Sequence, residues 1–289
     1  MSLMSERVPF QAIVDRPALA FPDGGRLALW VIVNIEEWSI ERPMPRTGLS
    51  APMGQPLLPD LPNWAWLEYG MRVGFWRILE ALTSRNIPVT MAVNGSVCTS
   101  YPRVAGAARD AGWEFMGHGF VQRPMHHLDD QRRAIADTVS AIEAFTGAPP
   151  TGWESPGLTE TEETLDLLAE AGIGYVANWV LDDLPVELTT DHGTVIGVPY
   201  TVETNDIVVH AVQHLPSDAF KTRCLDQFAQ LHKESNNNVR VMAIALHPYL
   251  TGAPHRFRYF EETLDRIFGQ DGVVAMTGSE IAQWYRETL

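Results

Sequence analysis

Leu27-Ala28-Leu29-Trp30-Val31-Ile32-Val33-Asn34-Ile35-Glu36-Glu37 is the stretch on which the reading of this chain turns. Its apolar run follows Pro22-Asp23-Gly24-Gly25, a turn signal, and reads as a strand buried on both faces. Such strands belong to parallel sheets covered by helices. The run ends on two acids, Glu36 and Glu37. Successive side chains of a strand alternate, so adjacent acids point different ways unless the strand has ended and is turning. At a turning strand end, one acid can serve as a general base while the other holds a metal or positions a partner.

Working outward, residues 41–63 are rich in Pro, contain Gly48 and Gly54, and show little periodicity. A structureless stretch of that length usually covers a site or an oligomer contact. The spacing of Trp66, Tyr69, Val73, Trp76, Leu79 and Leu82 then predicts a helix over Trp64–Arg85. Short strands and helices alternate from there to the end. Strands are expected at Val89–Val93, Trp113–Met116, Gly152-Trp153, Tyr175–Asn178, Thr194–Val198, Ile207–Val209, Val239–Leu246 and Val273–Met276. Helices are expected at Pro102–Gly112, Leu128–Phe145, Thr159–Ala171, Ser217–Lys233, Arg256–Phe268 and Ser279–Glu287. Asp129 or Asp130 caps the second of these, and Thr159-x-x-Glu162 fits a capping box for the third. About seven or eight strand–helix units in this length fit a closed α/β barrel better than an open doubly wound sheet. Nothing reads as a linker between separate cores, so one domain is expected: an N-terminal extension over 1–26 and a barrel over 27–289 with the 41–63 loop inserted.

The 289 residues carry 21 Lys and Arg against 36 Asp and Glu, a formal charge of 21 − 36 = −15. A polyanion would meet net repulsion and the basic clusters are short, so neither nucleic acid nor an anionic membrane is an expected partner. The longest apolar runs, Leu27–Val33 and Val241–Leu246, fall far below the roughly 18 residues of a membrane span. No basic segment followed by an apolar stretch opens the chain, and the opening Met1-Ser2-Leu3-Met4 is set aside as a leader. Two cysteines, Cys98 and Cys224, cannot build a disulfide framework, so a cytoplasmic protein is expected, with Cys98 a buried thiol.

In a parallel barrel the C-terminal ends of the strands converge on one mouth. The polar residues just past the expected strands are Glu36, Glu37, Asn94, His118, Glu154, Asn178 with Asp182 and Asp183, and His247. His118 lies between Gly117 and Gly119, which would let backbone or substrate approach the imidazole. His247 ends the most apolar strand and is followed by Pro248, which stops it. The neighbouring His126-His127 read as capping or surface residues.

These residues occur in an order that resembles the polysaccharide deacetylase (NodB-homology) superfamily. The segments that carry the resemblance are Val33–Trp38, Gly117-His118-Gly119, Gly152-Trp153-Glu154, Asn178-Trp179 with Asp182-Asp183, and Leu246-His247-Pro248. The segment Leu67–Arg77 resembles the branch that contains the cofactor-independent allantoinases. The resemblance implies a distorted (β/α)7 barrel, related to the TIM barrel, that hydrolyses C–N bonds outside peptides. It aligns Glu36 and Glu37 with a pair of aspartates, one a base and one a metal ligand, and His247 with the last motif's histidine. The second motif normally holds two histidines four apart; here they are His118 and Gln122. The Arg-Pro third motif is replaced by Gly152-Trp153-Glu154-Ser155-Pro156.

The expectation is therefore a hydrolase of a linear or cyclic amide in a small polar molecule, an allantoin-like ureide or an N-acetyl sugar. Glu36 or Glu37 would activate water and His247 would protonate the leaving nitrogen. Asn94, His118, Gln122, Trp153, Glu154, Trp179 and Asp182 would bind substrate or stabilise the oxyanion. A divalent, zinc-like metal, if used, would sit on Glu37 and His118, with the third ligand missing; metal independence is favoured. The competing class is a non-catalytic small-molecule-binding protein on a degenerate deacetylase barrel. The aromatic helix and the 41–63 loop are the surfaces on which a homo-oligomer would pack.

Overall fold

The computed structural model describes residues 4–22 and 24–289. Asp23 of the expected turn and Met1–Leu3 of the expected leader lie outside the described residues. Strand β1 (Leu27–Ile35) is buried at every position, as an apolar run covered on both faces must be. There follow α1 (Leu61–Tyr69), α2 (Phe75–Thr83), β2 (Val89–Val93), α3 (Val97–Ser100), α4 (Pro102–Asp110) and β3 (Glu114–Gly117). Next come α5 (Gln131–Thr146), β4 (Gly152–Trp153), α6 (Thr164–Glu170), β5 (Tyr175–Val176), β6 (Val186–Thr190) and β7 (Gly193–Gly197). The chain closes with α7 (Ala219–Glu234), β8 (Arg240–Leu246), α8 (Pro254–Phe268), β9 (Val273–Ala275) and α9 (Gly278–Thr288).

The strands form one sheet in the order β6-β7-β5-β4-β3-β2-β1-β8, with β9 also pairing β1. Every ladder is parallel except the β6–β7 hairpin. The sheet curls into a distorted barrel, and the period of two decides which residues face inward. Ala28, Trp30 and Ile32 of β1 pack with Ala92, Met116, Val198, Ala243 and Ala245 in the interior. Leu29, Val31 and Val33 face outward, clustering with Phe75, Ile78, Phe260 and Leu264 of the covering helices. Between β7 and β8 no ladder closes the barrel. Residues 198–206 fill that seam, joined to β8 by the bridge Asn205–Ala245 and by the Thr204 hydroxyl on the Ala243 carbonyl. The opposite end of the barrel is plugged by the start of α9, where Gly278 and Ser279 donate backbone N–H groups to Thr90 and Glu114.

Two expected elements are corrected and one strand is added. The helix expected from Thr159 begins at Thr164, and no Thr159–Glu162 capping box forms. Thr159 instead bonds Pro156 and Met125, pinning a loop. Ile207–Val209 is not a strand but the start of a π-helical turn, Ile207–Val212, because Asp206 and Asn205 supply a helix entry in place of a ladder. The β6–β7 hairpin contains a strand absent from the sequence reading, since Val186–Thr190 alternates on a half-exposed face and lacks the apolar run of its neighbours.

The helix expected over Trp64–Arg85 is found over Leu61–Thr83, but it is interrupted by a π-turn at Gly70–Gly74. That turn lies on the segment following β8. A Cβ at Gly74 would sit 2.0 Å from the Pro248 carbonyl oxygen, so only glycine permits the approach. The contact holds the chain immediately after His247. We expect Gly74→Ala to cost about 1–3 kcal/mol of stability, as overpacking does, read as a fall in the denaturation midpoint. An unchanged midpoint would mean that the turn moves aside freely. The loop before α1 is pinned rather than loose, because the Asn63 side chain pairs with both backbone groups of Leu49.

Candidate active site

Extending the inward register of β1 by two residues at a time carries Ala28, Trp30, Ile32 and Asn34 to Glu36. Glu36 therefore enters the barrel mouth, and Glu37 takes the outer face. The Glu37 backbone N–H donates to Asn94 Oδ1 at 2.9 Å, while its side chain does not line the cleft and its buried Oε2 makes no hydrogen bond among the described residues. The expectation that Glu37 shares the site, as base or metal ligand, is corrected. The same alternation brings His118 after β3, Glu154 after β4 and His247 after β8 to the mouth. With Glu36 they line a cleft of about 450 Å³, walled by Trp38, Tyr200 and Tyr249.

The cleft is organised around Glu36. Its Oε1 accepts from Gln122 Nε2 at 2.7 Å and lies 3.5 Å from His118 Nε2 and 3.7 Å from His247 Nε2. Its Oε2 accepts from the Trp38 indole at 3.0 Å. Burial opposes a charge on this carboxylate, but the two imidazoles outweigh it and hold the group well below the usual carboxylate range. Glu36 is thus ionised at any working pH. A carboxylate offers about four lone-pair sites, so two fixed donors leave room for a water.

His247 is held from behind. Its Nδ1 lies 2.7 Å from Asp206 Oδ1, and its backbone N–H donates to Asp206 Oδ2 at 2.8 Å. Thr251 donates its hydroxyl to the same Oδ2 at 2.6 Å. Burial lowers the His247 pKa, but the fully buried Asp206 and then Glu36 overcome it and push it up to about 10. His247 is therefore an imidazolium at neutral pH, with Nε2–H turned into the cleft. Asp206 was missed in the sequence because the segment after it reads as a strand. Read as the entry to a helix, the polar Thr204-Asn205-Asp206 would have been a strand-end candidate.

His118 is oriented through Nδ1, which donates to the Glu154 backbone oxygen at 2.7 Å. Its Nε2 faces the amide nitrogen of Gln122 at 3.1 Å, a contact that suits the neutral ring. Burial disfavours the cation, and Glu36 and Glu154 more than offset this, so protonation would trade the Gln122 bond for an ion pair with Glu36. Asn94 has no donor left for substrate. Its Nδ2 donates to the His118 carbonyl at 2.5 Å and to Gln122 Oε1 at 2.9 Å, making it a brace. Burial raises the Glu154 carboxyl, and one of its oxygens, Oε2, has no partner. Gly117 is required not by substrate but by the Trp153 ring, which a Cβ would meet at 2.5 Å.

Other expected substrate contacts are corrected. Trp153 is on the outer face of β4, packed with Ile135, Leu165 and Leu168, and its indole donates to Ser155. Trp179 donates to Glu160, and Asn178 bonds Ser155 and Glu160, away from the mouth. Asp182 pairs with Arg16 at 2.9 Å, tying down the N-terminal segment. Strand β5 ends at Val176, so these residues already belong to the path toward the β6–β7 hairpin.

The site does not fit the metal expected on Glu37 and His118. His118 lines the cleft and Glu37 does not. Gln122 presents an N–H donor, not a lone pair, toward His118 Nε2. Among the described residues no three His, Cys, Asp or Glu side chains converge as a metal-holding group.

A parallel barrel with an ionised carboxylate beside a carboxylate-held imidazolium is an acid–base site of the kind hydrolases use. Residues 66–176 match the family model described as polysaccharide deacetylase. A Schizosaccharomyces pombe protein named "Putative polysaccharide deacetylase" is 28% identical, over 91% of both chains. The crystal structure of a "probable Polysaccharide deacetylase" from Pseudomonas aeruginosa PAO1 superposes with a TM-score of 0.86 at 26% identity, covering 94% of this chain and 95% of that one. The crystal structure of PuuE allantoinase gives the same TM-score and identity over 94% of each. Residues 66–176 are thus similar to polysaccharide deacetylases, and the chain folds into the distorted barrel that its structural neighbours share. Among the described residues, no helix is long and apolar enough to cross a membrane.

Proposed function

We propose that this protein hydrolyses an amide C–N bond in a small polar molecule, with a cyclic amide or ureide as the substrate class. The observation that carries the reading is the Glu36 carboxylate 3.7 Å from the Nε2 of His247, whose Nδ1 is held by Asp206. Base and acid are thus within reach of the same reacting atoms. Glu36 takes a proton from water, whose oxygen attacks the amide carbonyl. The oxyanion that forms needs donors, and Asn94 and His118 are committed elsewhere. Tyr200 lines the cleft and keeps its hydrogen, since burial raises its pKa; its hydroxyl would turn from Glu154 to the oxyanion. His247 passes its Nε2 proton to the leaving nitrogen as the C–N bond breaks. Proton return from Glu36 to His247 resets the pair. No step passes through a metal.

The wall formed by Trp38, Pro45 and Arg46 supports a small substrate over a long polymer, because it closes one side of the cleft. Likeness to PuuE allantoinase supports a ureide, and likeness to the deacetylases supports an N-acetyl group. The test is turnover of allantoin, hydantoin and N-acetylglucosamine by the purified protein before and after EDTA treatment. We expect hydrolysis of a cyclic substrate that survives chelation. Loss of activity on chelation, restored by zinc, would overturn the metal-free mechanism. Absence of turnover on all three would favour a binding role.

A further inference from the structure

We propose that Arg46 and Arg123 together bind an anionic group of the substrate, so that the substrate is a small amide carrying a carboxylate. The inference rests on the amide-hydrolase reading of the same cleft and names the substrate class. Both arginines line the cleft that holds Glu36, His118 and His247, and both are half-buried. They reach it from different segments, Arg46 from the loop before α1 and Arg123 from the loop after β3.

Neither guanidinium has an ion-pair or hydrogen-bond partner among the described residues, in a chain with 36 acids to 21 basic residues. Elsewhere Arg7, Arg16 and Arg85 find carboxylates in Asp166, Asp182 and Asp265, and Arg77 bonds Tyr69 and the Gly252 carbonyl, while Arg256, away from this cleft, also lacks an acid among the described residues. The acids inside the cleft are already engaged. Glu36 is taken by Gln122, Trp38 and the imidazoles, and Glu154 faces His118 and Tyr200. A guanidinium presents a planar fork of donors matched to a carboxylate, and two forks left open at one cleft form a charge-assisted cradle. With the anion there, the amide is directed to the floor between Glu36 and His247. Anion binding would also tie the loop before α1 to the loop after β3.

The experiment uses a matched pair, hydantoin and hydantoin-5-acetate, which share the cyclic amide and differ in a carboxylate. We expect wild-type protein to favour hydantoin-5-acetate in kcat/KM by about 10- to 100-fold, the scale of hydrogen bonds to a charged group. Arg46→Gln and Arg123→Gln should each raise KM for hydantoin-5-acetate by a similar factor with kcat little changed. Their kinetics on hydantoin should change several-fold less than on hydantoin-5-acetate, and Arg→Lys should recover part of the loss. Equal or better turnover of hydantoin, or equal losses on both compounds, overturns the proposal and leaves amide hydrolysis standing. Calorimetric binding of hydantoin-5-acetate that is lost in the arginine variants, with no turnover of either compound, supports the anion site while the hydrolase reading fails. Neither binding nor turnover of the acetate overturns the anion site.

Discussion

Glu36→Gln should lower kcat by about 10²- to 10⁴-fold, the range that a general base contributes, while Glu37→Gln should leave it within a few-fold. The two acids are neighbours in sequence, yet the barrel wall separates them. Glu36 Oε1 is held by Gln122 at 2.7 Å beside two imidazoles, and Glu37 is not among the residues that line the cleft. Glutamine preserves the shape of the Glu36 side chain and can still contact Trp38, so circular dichroism and the thermal midpoint should show a folded protein. What it removes is the proton acceptor. Full activity in Glu36→Gln, or a loss in Glu37→Gln as deep as that in Glu36→Gln, would break the assignment of the base. The pair also tests strand register directly, because a slip by one residue would exchange the two phenotypes.

Asp206→Asn should move the alkaline limb of the pH–activity profile. In the wild type His247 is held as an imidazolium up to about pH 10 by the buried Asp206, against the opposing effect of burial. Activity that needs this acid should therefore be flat through neutrality and fall only as pH approaches 10. With the charge gone, the His247 pKa drops toward the ordinary value of about 6.5 or below, and the limb follows it. At pH 8 the variant should be down by about 30-fold or more, because only about 3% of an imidazole of ordinary pKa is protonated there. An unmoved limb would mean that another group donates the proton. Stability gives an independent readout. A histidine whose folded pKa is raised stabilises the native state fully below its unfolded pKa of about 6.5 and loses that contribution as pH rises toward 10. Wild-type stability should thus decline across that window, through this group, and the slope should flatten in Asp206→Asn. Denaturation at pH 6, 8 and 9.5 checks it.

The inference from sequence succeeded where a local pattern carries the physics. Leu27–Ile35, Val89–Val93 and Gly152-Trp153 were legible as strands with the bounds the structure has, since unbroken apolar or bounded runs leave little choice. Position after a strand was enough to select Glu36, His118, Glu154 and His247, because all parallel strands deliver their ends to one mouth. It failed at β5, where the strand is two residues long and Asn178, Trp179 and Asp182 have already left the mouth. It failed again at Asp206, which reaches His247 from 41 residues away through a helix entry that reads as a strand.

Sequence by itself determined the parallel α/β barrel and the acids and histidines that follow its strands, all of which come from apolar periodicity and residue type. Only the tertiary structure decided which of Glu36 and Glu37 enters the mouth, which carboxylate charges His247, and that Asn94 braces instead of binding. Those outcomes depend on side-chain direction and on burial between distant segments, and neither is written in the spacing of one chain.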